Sequence, residues 1–132
     1  MRILTVVDYD EMWPALFENE RTLLQMTLGK VISQIHHIGS TSVPGLSAKP
    51  VIDILIEVTN LEELDRLNQA MERAGYTVRG ENGISNRRYF TKGGDQRSHH
   101  IHAFTTGDAQ IIKHLAFRTC WKICRKTNWP AR

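Results

Sequence analysis

Apolar side chains recur every three or four positions near the start of the chain and predict its first helix. Between residues 12 and 28 they form one stripe, which consists of Trp13, Leu16, Phe17, Leu24 and Leu28. This spacing is typical of an amphipathic helix that buries one face. Asp10 is suited to cap its beginning, Pro14 is tolerated only near its first turn, and Gly29 is suited to end it.

Strand-like patterns surround a segment rich in glycine, proline and hydroxyl side chains. Residues 2–7 alternate weakly between apolar and polar and predict an edge strand. Residues 31–38 are short, apolar and β-branched, and they predict a strand that feeds a loop at Gly39. That loop, residues 39–50, holds two Gly, two Pro and four Ser or Thr, which favours irregular structure. Residues 51–58 are nearly all apolar and predict a central strand buried on both faces.

The second half of the chain alternates between helical and strand-like spacing. Leucines three positions apart predict a helix over residues 61–74, and a short strand is expected at residues 76–78. Residues 87–91 and 99–104 predict a hairpin around a glycine-rich turn. A last helix is expected from about residue 109 to 124. These elements predict an α/β or α+β fold, in which helices flank a sheet of mixed direction.

The composition indicates a single soluble domain. The chain has 132 residues, of which 41% are hydrophobic and 23% charged, enough for one hydrophobic core and unlike a disordered protein. Its apolar runs stay below the roughly 18 residues that a membrane helix needs, so we do not expect a membrane as partner. The apolar N-terminus is too short for a secretory signal, and we therefore expect a cytoplasmic protein.

The positive charge is confined to the end of the chain. Residues 113–132 hold six Lys or Arg and no acid, whereas residues 1–112 hold 11 Lys or Arg and 14 Asp or Glu. A basic end on an acidic body gives little support for nucleic-acid binding, so we do not expect nucleic acid as a partner. Cys120 and Cys124 lie in this end without a second pair for a zinc site, and we expect free thiols.

The loop after the strand at residues 31–38 carries the clearest candidate chemistry. Gly39 allows the backbone to turn sharply and to approach a ligand closely. Ser40, Thr41 and Ser42 add hydroxyl groups to the backbone N–H groups of this turn. With the charge of Lys49, the loop is suited to hold phosphate oxygens. Such a string is also common in plain turns, and that interpretation stays open.

One acidic residue interrupts the most apolar strand. Asp53 lies between Ile52 and Ile54, and burying an unpaired carboxylate is costly. The side chain therefore requires a partner, which is a metal ion, a cation or several hydrogen-bond donors. A structural role, with hydrogen bonds to a nearby loop, is the alternative.

Four motifs, which follow one another along the chain as in the GrpB family, resemble the motifs of that family. The string HIGSTSVPGLSAKPVIDI at residues 37–54 resembles the family signature, and YDEMWPALF at residues 9–17 resembles its N-terminal motif. HHIHAF at residues 99–104 and HLAFR at residues 114–118 resemble later motifs. The resemblance implies a nucleotidyltransferase-like fold, in which a Gly-Ser loop binds nucleotide phosphates and the next strand carries metal-binding acids. It implies a nucleotide or another phosphate-bearing ligand, and family members also occur fused to dephospho-coenzyme A kinase.

The acidic strand departs from the pattern that the resemblance implies. A nucleotidyltransferase usually places two acids two positions apart, where they share two metal ions. Here the second position is Leu55, and Glu57 stands roughly 13 Å from Asp53 along the strand. Glu57 is therefore interpreted as a strand-end charge, and the usual acid pair is absent from this strand.

Two histidines on a later strand are candidates to complete the site. His100 and His102 project from one face, and with Asp53 they resemble a metal site of two histidines and one carboxylate. We predict these three as catalytic residues and as ligands of a divalent metal, Mg²⁺ or Mn²⁺ rather than Zn²⁺. Alternatively, the imidazoles hydrogen-bond ligand phosphates or neighbouring loops.

Three further basic side chains are candidate phosphate ligands. Only one of the adjacent Arg87 and Arg88 can face a given side of a strand, and Arg87 is assigned to clamp a phosphate. His37 immediately precedes the Gly39 loop, and Arg118 follows the last motif. Surface or strand-end roles remain the alternative for each of them.

Several functions remain open at this level. Residues 1–118 are predicted to form one domain, and residues 119–132 an atypical basic end. If that end has replaced a packing helix, the uncovered apolar face favours a homodimer. The first hypothesis is a metal-dependent enzyme that transfers a nucleotidyl or phosphoryl group, and the second is a binding module that has lost the chemistry. Nucleic-acid binding through Trp121 and Trp129 ranks last.

Overall fold

Five strands form one mixed sheet within residues 6–94 and 97–116, which are the residues that the computed structural model describes. The strands are β1 Ile32–Ile38, β2 Ile52–Val58, β3 Thr77–Val78, β4 Arg88–Lys92 and β5 His99–Thr105. They are ordered β1-β2-β5-β4-β3 across the sheet. β2 and β5 run parallel, whereas the other neighbouring pairs are antiparallel. The predicted mixed sheet and the hairpin formed by β4 and β5 are therefore confirmed.

The helices lie within one or two residues of the predicted positions at the start of the chain and diverge later. They are α1 Trp13–Leu28, α2 Leu61–Asp65 and α3 Asn68–Arg73. Pro14 lies in the first turn of α1, and Gly29 ends this helix with a φ of 55°. Short 3₁₀ turns at Gly29–Val31 and Ser40–Ser42 precede and follow β1. Residues 109–116 are helical and follow β5.

The sheet packs against apolar layers on both faces because strand residues alternate sides. On the helix face, which α1, α2 and α3 cover, Ile54 is fully buried. On the opposite face, called the site face below, Leu55 and Phe104 pack with the helical segment 109–116. β2 is thus buried on both sides, as predicted. Asp53 lies two positions before Leu55 and shares the site face.

The helical region after β2 differs from the prediction of one continuous helix over residues 61–74. It consists of α2 and α3, which Arg66 and Leu67 separate. Leu64 and Met71 are both fully buried in the helix-face core, one from each short helix. Each of the two short helices thus contributes one large apolar side chain to this core.

The buried stripe of α1 also differs from the prediction at two positions. Leu16 is 41% exposed and does not belong to the core, whereas Glu20 is only 7% exposed and does. The carboxylate of Glu20 accepts hydrogen bonds from the Tyr76 hydroxyl and from Nζ of Lys92. A polar residue can occupy the stripe because these two donors satisfy it.

The described part of the predicted N-terminal strand makes a single bridge. Val7 pairs antiparallel with Ala48, through two backbone hydrogen bonds of 2.9 and 3.0 Å. The remainder of the predicted strand, residues 2–5, lies outside the described residues.

Several predictions at the end of the chain also lie outside the described residues. The predicted helix from about 109 to 124 is helical over residues 109–116. The predictions that are not described concern Arg118, Cys120, Cys124 and the basic end at residues 119–132. Within the described ranges, no helix is long and apolar enough to cross a membrane.

Candidate functional site

Gly39 connects β1 to the Ser40–Ser42 turn and brings the backbone against Asp53. Its φ is 73° and its ψ is −174°, a conformation that essentially only glycine adopts. A Cβ atom at this position would lie 2.6 Å from Oδ2 of Asp53, far inside van der Waals contact. Glycine is therefore required by the backbone conformation and by the close approach of the carboxylate.

Two of the three hydroxyl groups in the turn stabilise the turn itself. The Ser42 hydroxyl donates to the carbonyl of Gly39 at 2.6 Å. The Thr41 hydroxyl donates to the carbonyl of Val51 at 3.2 Å and lies 3.0 Å from Nε2 of His37. Because the Thr41 proton is used on Val51, this imidazole nitrogen is the donor. These contacts hold the turn against the start of β2.

His37 lies on the helix face, behind the turn. Its ring stacks on Phe17 of α1, with the ring centres 4.9 Å apart. The next residue, Ile38, pairs with Asp53 across the sheet and shares the site face. His37 therefore points away from Asp53, and its contact with Thr41 supports the turn rather than a direct contact with a ligand beside Asp53.

Asp53 contacts both predicted imidazoles on the site face. The parallel register of β2 and β5 places Asp53 opposite His100. Oδ1 of Asp53 is 3.3 Å from Nδ1 of His100 and 3.9 Å from Nε2 of His102. Burial raises the pKa of Asp53, but the hydrogen bonds and charges of His100 and His102 outweigh it and hold that pKa below its usual value. The carboxylate is therefore an anion at neutral pH.

The contact with Asp53 defines which nitrogen of His100 carries a proton. An ionised carboxylate only accepts hydrogen bonds, so Nδ1 of His100 is the donor. In the neutral imidazole Nε2 then keeps its lone pair. This Nε2 is buried and has no hydrogen-bond partner in the part of the chain that the structure describes. His100 thus presents a buried proton acceptor that the protein leaves unused.

Arg87, immediately before β4, and Arg88, its first residue, face opposite sides of the sheet. Arg88 pairs with Asp65 of α2 on the helix face, at 2.8 and 3.1 Å. Arg87 lies on the site face and is 6% exposed. Its Nη1 donates to Nδ1 of His102 at 3.3 Å, and its other nitrogens donate to backbone carbonyls. Burial lowers the pKa of Arg87. The predicted phosphate clamp is therefore engaged with the protein itself.

The predicted metal ligands Asp53, His100 and His102 lie next to one another but contact other protein groups. Among residues 6–94 and 97–116, no group of three or more His, Cys, Asp or Glu side chains is arranged to hold a metal ion. Nδ1 of His100 donates to Asp53, and Nδ1 of His102 accepts from Arg87. Glu57 is paired with His36 at 2.7 Å instead of ending the strand as a free charge. The donors do not fit a resident metal with three protein ligands.

The Gly39 turn forms one wall of a cavity of about 440 Å³. Its polar lining comes from the turn, from β2 and from β5, and consists of Ser40, Thr41, Ser47, Lys49, Asp53, Arg97 and His100. In the described part of the chain, the Ser40 hydroxyl has no hydrogen bond to another residue. Asp53 is 29% exposed here, which makes it accessible to a ligand.

Two basic side chains near the site were not predicted. Arg97 lies at the end of the hairpin turn, and its Nε donates to the carbonyl of Gly94 at 2.8 Å. The ring of His114, on the helical segment 109–116, lies 5.2 Å from that of His102. Burial, and then the charge of His102, lower the pKa of His114; Asp53 opposes this shift, and Arg87 adds a smaller lowering effect. The helical spacing of Ile111 and Leu115 was the sequence signal that could have placed His114 near the sheet.

The sequence profile described as GrpB protein matches residues 3–126. The chain belongs to the GrpB family. The solved structure titled as the conserved protein GrpB from Enterococcus faecalis has the same fold, with a TM-score of 0.87 and 43% identity. This similarity covers 89% of the chain and 72% of the Enterococcus faecalis chain.

Curated GrpB relatives are longer than the chain. The UPF0157 protein YqkA of Bacillus subtilis is 46% identical over 117 residues, which are 89% of this chain and 34% of YqkA. The UPF0157 protein BH1888 of Halalkalibacterium halodurans is 40% identical over 116 residues, which are 87% of this chain and 58% of BH1888. The chain therefore spans about a third of the length of YqkA and somewhat more than half of the length of BH1888.

The GrpB motifs that are far apart in sequence meet at one place. Ser40 and Asp53 from the motif at residues 37–54 and His100 from the motif at residues 99–104 line the same cavity, and Gly39 lies against Asp53. Lys49 lies at its exposed rim. The convergence of a turn, a carboxylate and imidazoles on one site is thus a property of the folded GrpB chain.

Proposed function

We propose that the cavity beneath the Gly39 turn binds a phosphate-bearing small molecule, of which a nucleotide is the first candidate. The observation that carries this proposal is the lining of a single cavity by Ser40, Lys49, Arg97 and His100. Two cations and a hydroxyl group suit the oxygens of a phosphate. Asp53 adds one negative charge, which the imidazole contacts partly offset.

His100 lines the cavity, and we propose that a bound ligand also reaches its buried Nε2. Nε2 of His100 is buried, and a ligand hydroxyl or amine that donates to it would remove the cost of leaving it unpaired. A phosphate joined to a hydroxyl-bearing group, as in a nucleotide, offers both kinds of contact. Inorganic phosphate offers mainly the oxygens that contact the two cations and the hydroxyl group, so we expect it to bind more weakly than a nucleotide.

Thermal unfolding in the presence of AMP, ATP, inorganic phosphate and adenosine tests the proposal. A ligand that binds only the folded protein raises the Tm, by an amount equivalent to about 2.7 kcal/mol at 100 times its Kd. We expect a rise with the phosphate compounds and none with adenosine. Each titration is run with Mg²⁺ and with a chelator, so that a metal requirement becomes visible.

Paired variants connect that rise to the cavity. Lys49→Met and Arg97→Met together are expected to abolish it, because they remove the two cations of the lining. Lys30→Met, outside the cavity, is the matched control and should keep it. If none of the phosphate compounds raises the Tm, or if the double variant responds as the wild type does, the proposal is wrong.

The second candidate function is nucleotidyl or phosphoryl transfer at the same site. The lone pair on Nε2 of His100 favours it, because a general base must accept a proton near the reacting group. A hydroxyl oxygen would bond to phosphorus, its proton would pass to His100, and the bond from phosphorus to the leaving phosphate oxygen would break. Mg²⁺ or Mn²⁺ brought in with the phosphates would have Asp53 as its protein ligand.

Product analysis separates the two candidates. Transfer predicts that a nucleotide is consumed and that His100→Gln and Asp53→Asn both abolish consumption. Binding without consumption, with or without Mg²⁺ or Mn²⁺, would leave the non-catalytic binding module as the function. Consumption that persists in Asp53→Asn would contradict the role given to this carboxylate.

A further inference from the structure

Arg87 is buried although it carries a permanent positive charge. Its Nε and Nη2 donate to the carbonyls of Glu81 and Asn82 at 3.1 and 2.8 Å. Its guanidinium carbon lies 4.6 Å from the centre of the Tyr89 ring. These contacts fix the plane of the guanidinium and leave Nη1 directed at Nδ1 of His102, at 3.3 Å.

This contact decides the tautomer of His102. A guanidinium has five N–H donors and no acceptor, so Nδ1 of His102 must offer its lone pair. A neutral His102 then carries its proton on Nε2, the nitrogen that lies 3.9 Å from Oδ1 of Asp53. The opposite tautomer would place two donors against each other at Arg87 and a lone pair against the carboxylate.

We propose that Arg87 is a positioning residue that holds His102 in the Nε2–H form, so that Asp53 faces two imidazole donors and His100 keeps its acceptor on Nε2. The order of contacts is Arg87 to His102, His102 to Asp53, and Asp53 to His100. The contact with Arg87 defines the proton position of His102, and the contact with Asp53 defines that of His100. The inference concerns the protein without ligand, so it is tested separately from the proposed function.

The same contacts connect the site to the segment 81–86. Asn82 and Asn86 have positive φ values of 48° and 63°, so this segment turns sharply before β4. The carbonyls of Glu81 and Asn82 hold two of the three engaged nitrogens of Arg87. A displacement of this segment would therefore move the guanidinium relative to His102.

Long-range ¹H–¹⁵N spectra of the histidine rings test the inference, because protonated and unprotonated ring nitrogens have different ¹⁵N shifts. At neutral pH the wild type should show His102 as the Nε2–H tautomer and His100 as the Nδ1–H tautomer. Arg87→Met should change the tautomer ratio of His102 by roughly 10- to 100-fold towards Nδ1–H, which corresponds to the loss of one charged hydrogen bond. Arg87→Lys keeps the charge and should give a smaller change.

Arg21→Met is the control, since it removes an exposed guanidinium of α1, which pairs with Glu18, and should leave both tautomers unchanged. Core methyl signals report whether each variant is folded. If Arg87→Met does not fold, the wild-type spectrum still tests the inference, because it shows which tautomer His102 adopts. His102 in the Nδ1–H form in the wild type, or an unchanged ratio in a folded Arg87→Met protein, would overturn the inference.

Discussion

At the scale of single residues, the contact between Gly39 and Asp53 defines the site. The glycine backbone lies so close to the carboxylate that a Cβ atom would reach to within 2.6 Å of Oδ2. The other carboxylate oxygen meets His100 and His102 at 3.3 and 3.9 Å. A substitution at either residue should therefore disturb the other.

Replacing Gly39 by alanine should destabilise the fold and displace Asp53. We expect a loss of about 2–4 kcal/mol in the free energy of unfolding, which combines a backbone conformation unsuited to alanine with the clash. Gly80→Ala is the matched control, because Gly80 has a φ of 62° and open space around its Cα. It should lose only about 1 kcal/mol. Urea denaturation of both variants measures the difference, and equal losses would contradict the close contact.

Asp53 should make the stability of the protein depend on pH at the acidic end. Its folded pKa lies below the unfolded value of about 3.9, so the ionised carboxylate stabilises the fold above that pH. This stabilisation is lost as the pH falls through the folded pKa. Asp53→Asn should be less stable at neutral pH by about 1–3 kcal/mol and should lose less stability between roughly pH 4 and 2.

Urea denaturation over that pH range checks the prediction for Asp53. Glu62→Gln, which removes an exposed carboxylate, serves as control and should keep the acidic dependence of the wild type. An Asp53→Asn protein with the same acidic dependence as the wild type would show that the carboxylate is not held ionised by the imidazoles.

At the scale of elements, a buried polar cluster joins α1 to β4 on the helix face. Glu20 of α1 accepts from the Tyr76 hydroxyl, and Nζ of Lys92 lies 2.7 Å from its carboxylate. His99 approaches the same carboxylate at 3.9 Å. Burial raises the pKa of Glu20, but the donors outweigh it and lower that pKa, while burial and Glu20 raise the pKa of Tyr76. The cluster therefore holds an ion pair inside the core.

Breaking this ion pair should be costly because one buried charge is left without its partner. Glu20→Gln is expected to lose about 2–4 kcal/mol in the free energy of unfolding. The double variant Glu20→Gln with Lys92→Met should lose less than the sum of the single losses. Glu18→Gln, on the same helix, removes the exposed pair with Arg21 and should change stability by less than about 1 kcal/mol. Additive losses in the double-mutant cycle would contradict a direct interaction.

Elements were easier to predict than the contacts between them. The positions of α1, β2 and the hairpin followed from local spacing, because amphipathic and alternating patterns reflect which side chains are buried. Glu20 was not recognised as a core residue, since its partner Lys92 is 72 positions away in sequence. The break between α2 and α3 was missed because Leu64 and Met71 have a spacing that one continuous helix also produces.

At the scale of the whole molecule, the sheet separates two roles. α1, α2 and α3 stabilise one face, while the other face carries Asp53, His100 and His102. Strand parity placed His100 and His102 on one face from sequence, whereas the parallel register of β2 and β5 places Asp53 on that same face. The orientation of Arg87 towards His102, and the position of Arg97 at the cavity, depend on how segments fold back on the sheet. The local spacing of apolar and polar residues carries no information about how these segments fold back.

The most direct measurement is a nuclear magnetic resonance titration of the protein with AMP, with adenosine as the control compound. We predict that AMP shifts the amide signal of Ser40 and the Nε2 signal of His100, and that adenosine shifts neither. The polar cavity between Arg21 and Gln25, outside the site, provides an internal reference that should not respond. Unchanged signals at Ser40 and His100, or changes confined to Arg21 and Gln25, would contradict the assignment of a phosphate-binding site beneath the Gly39 turn.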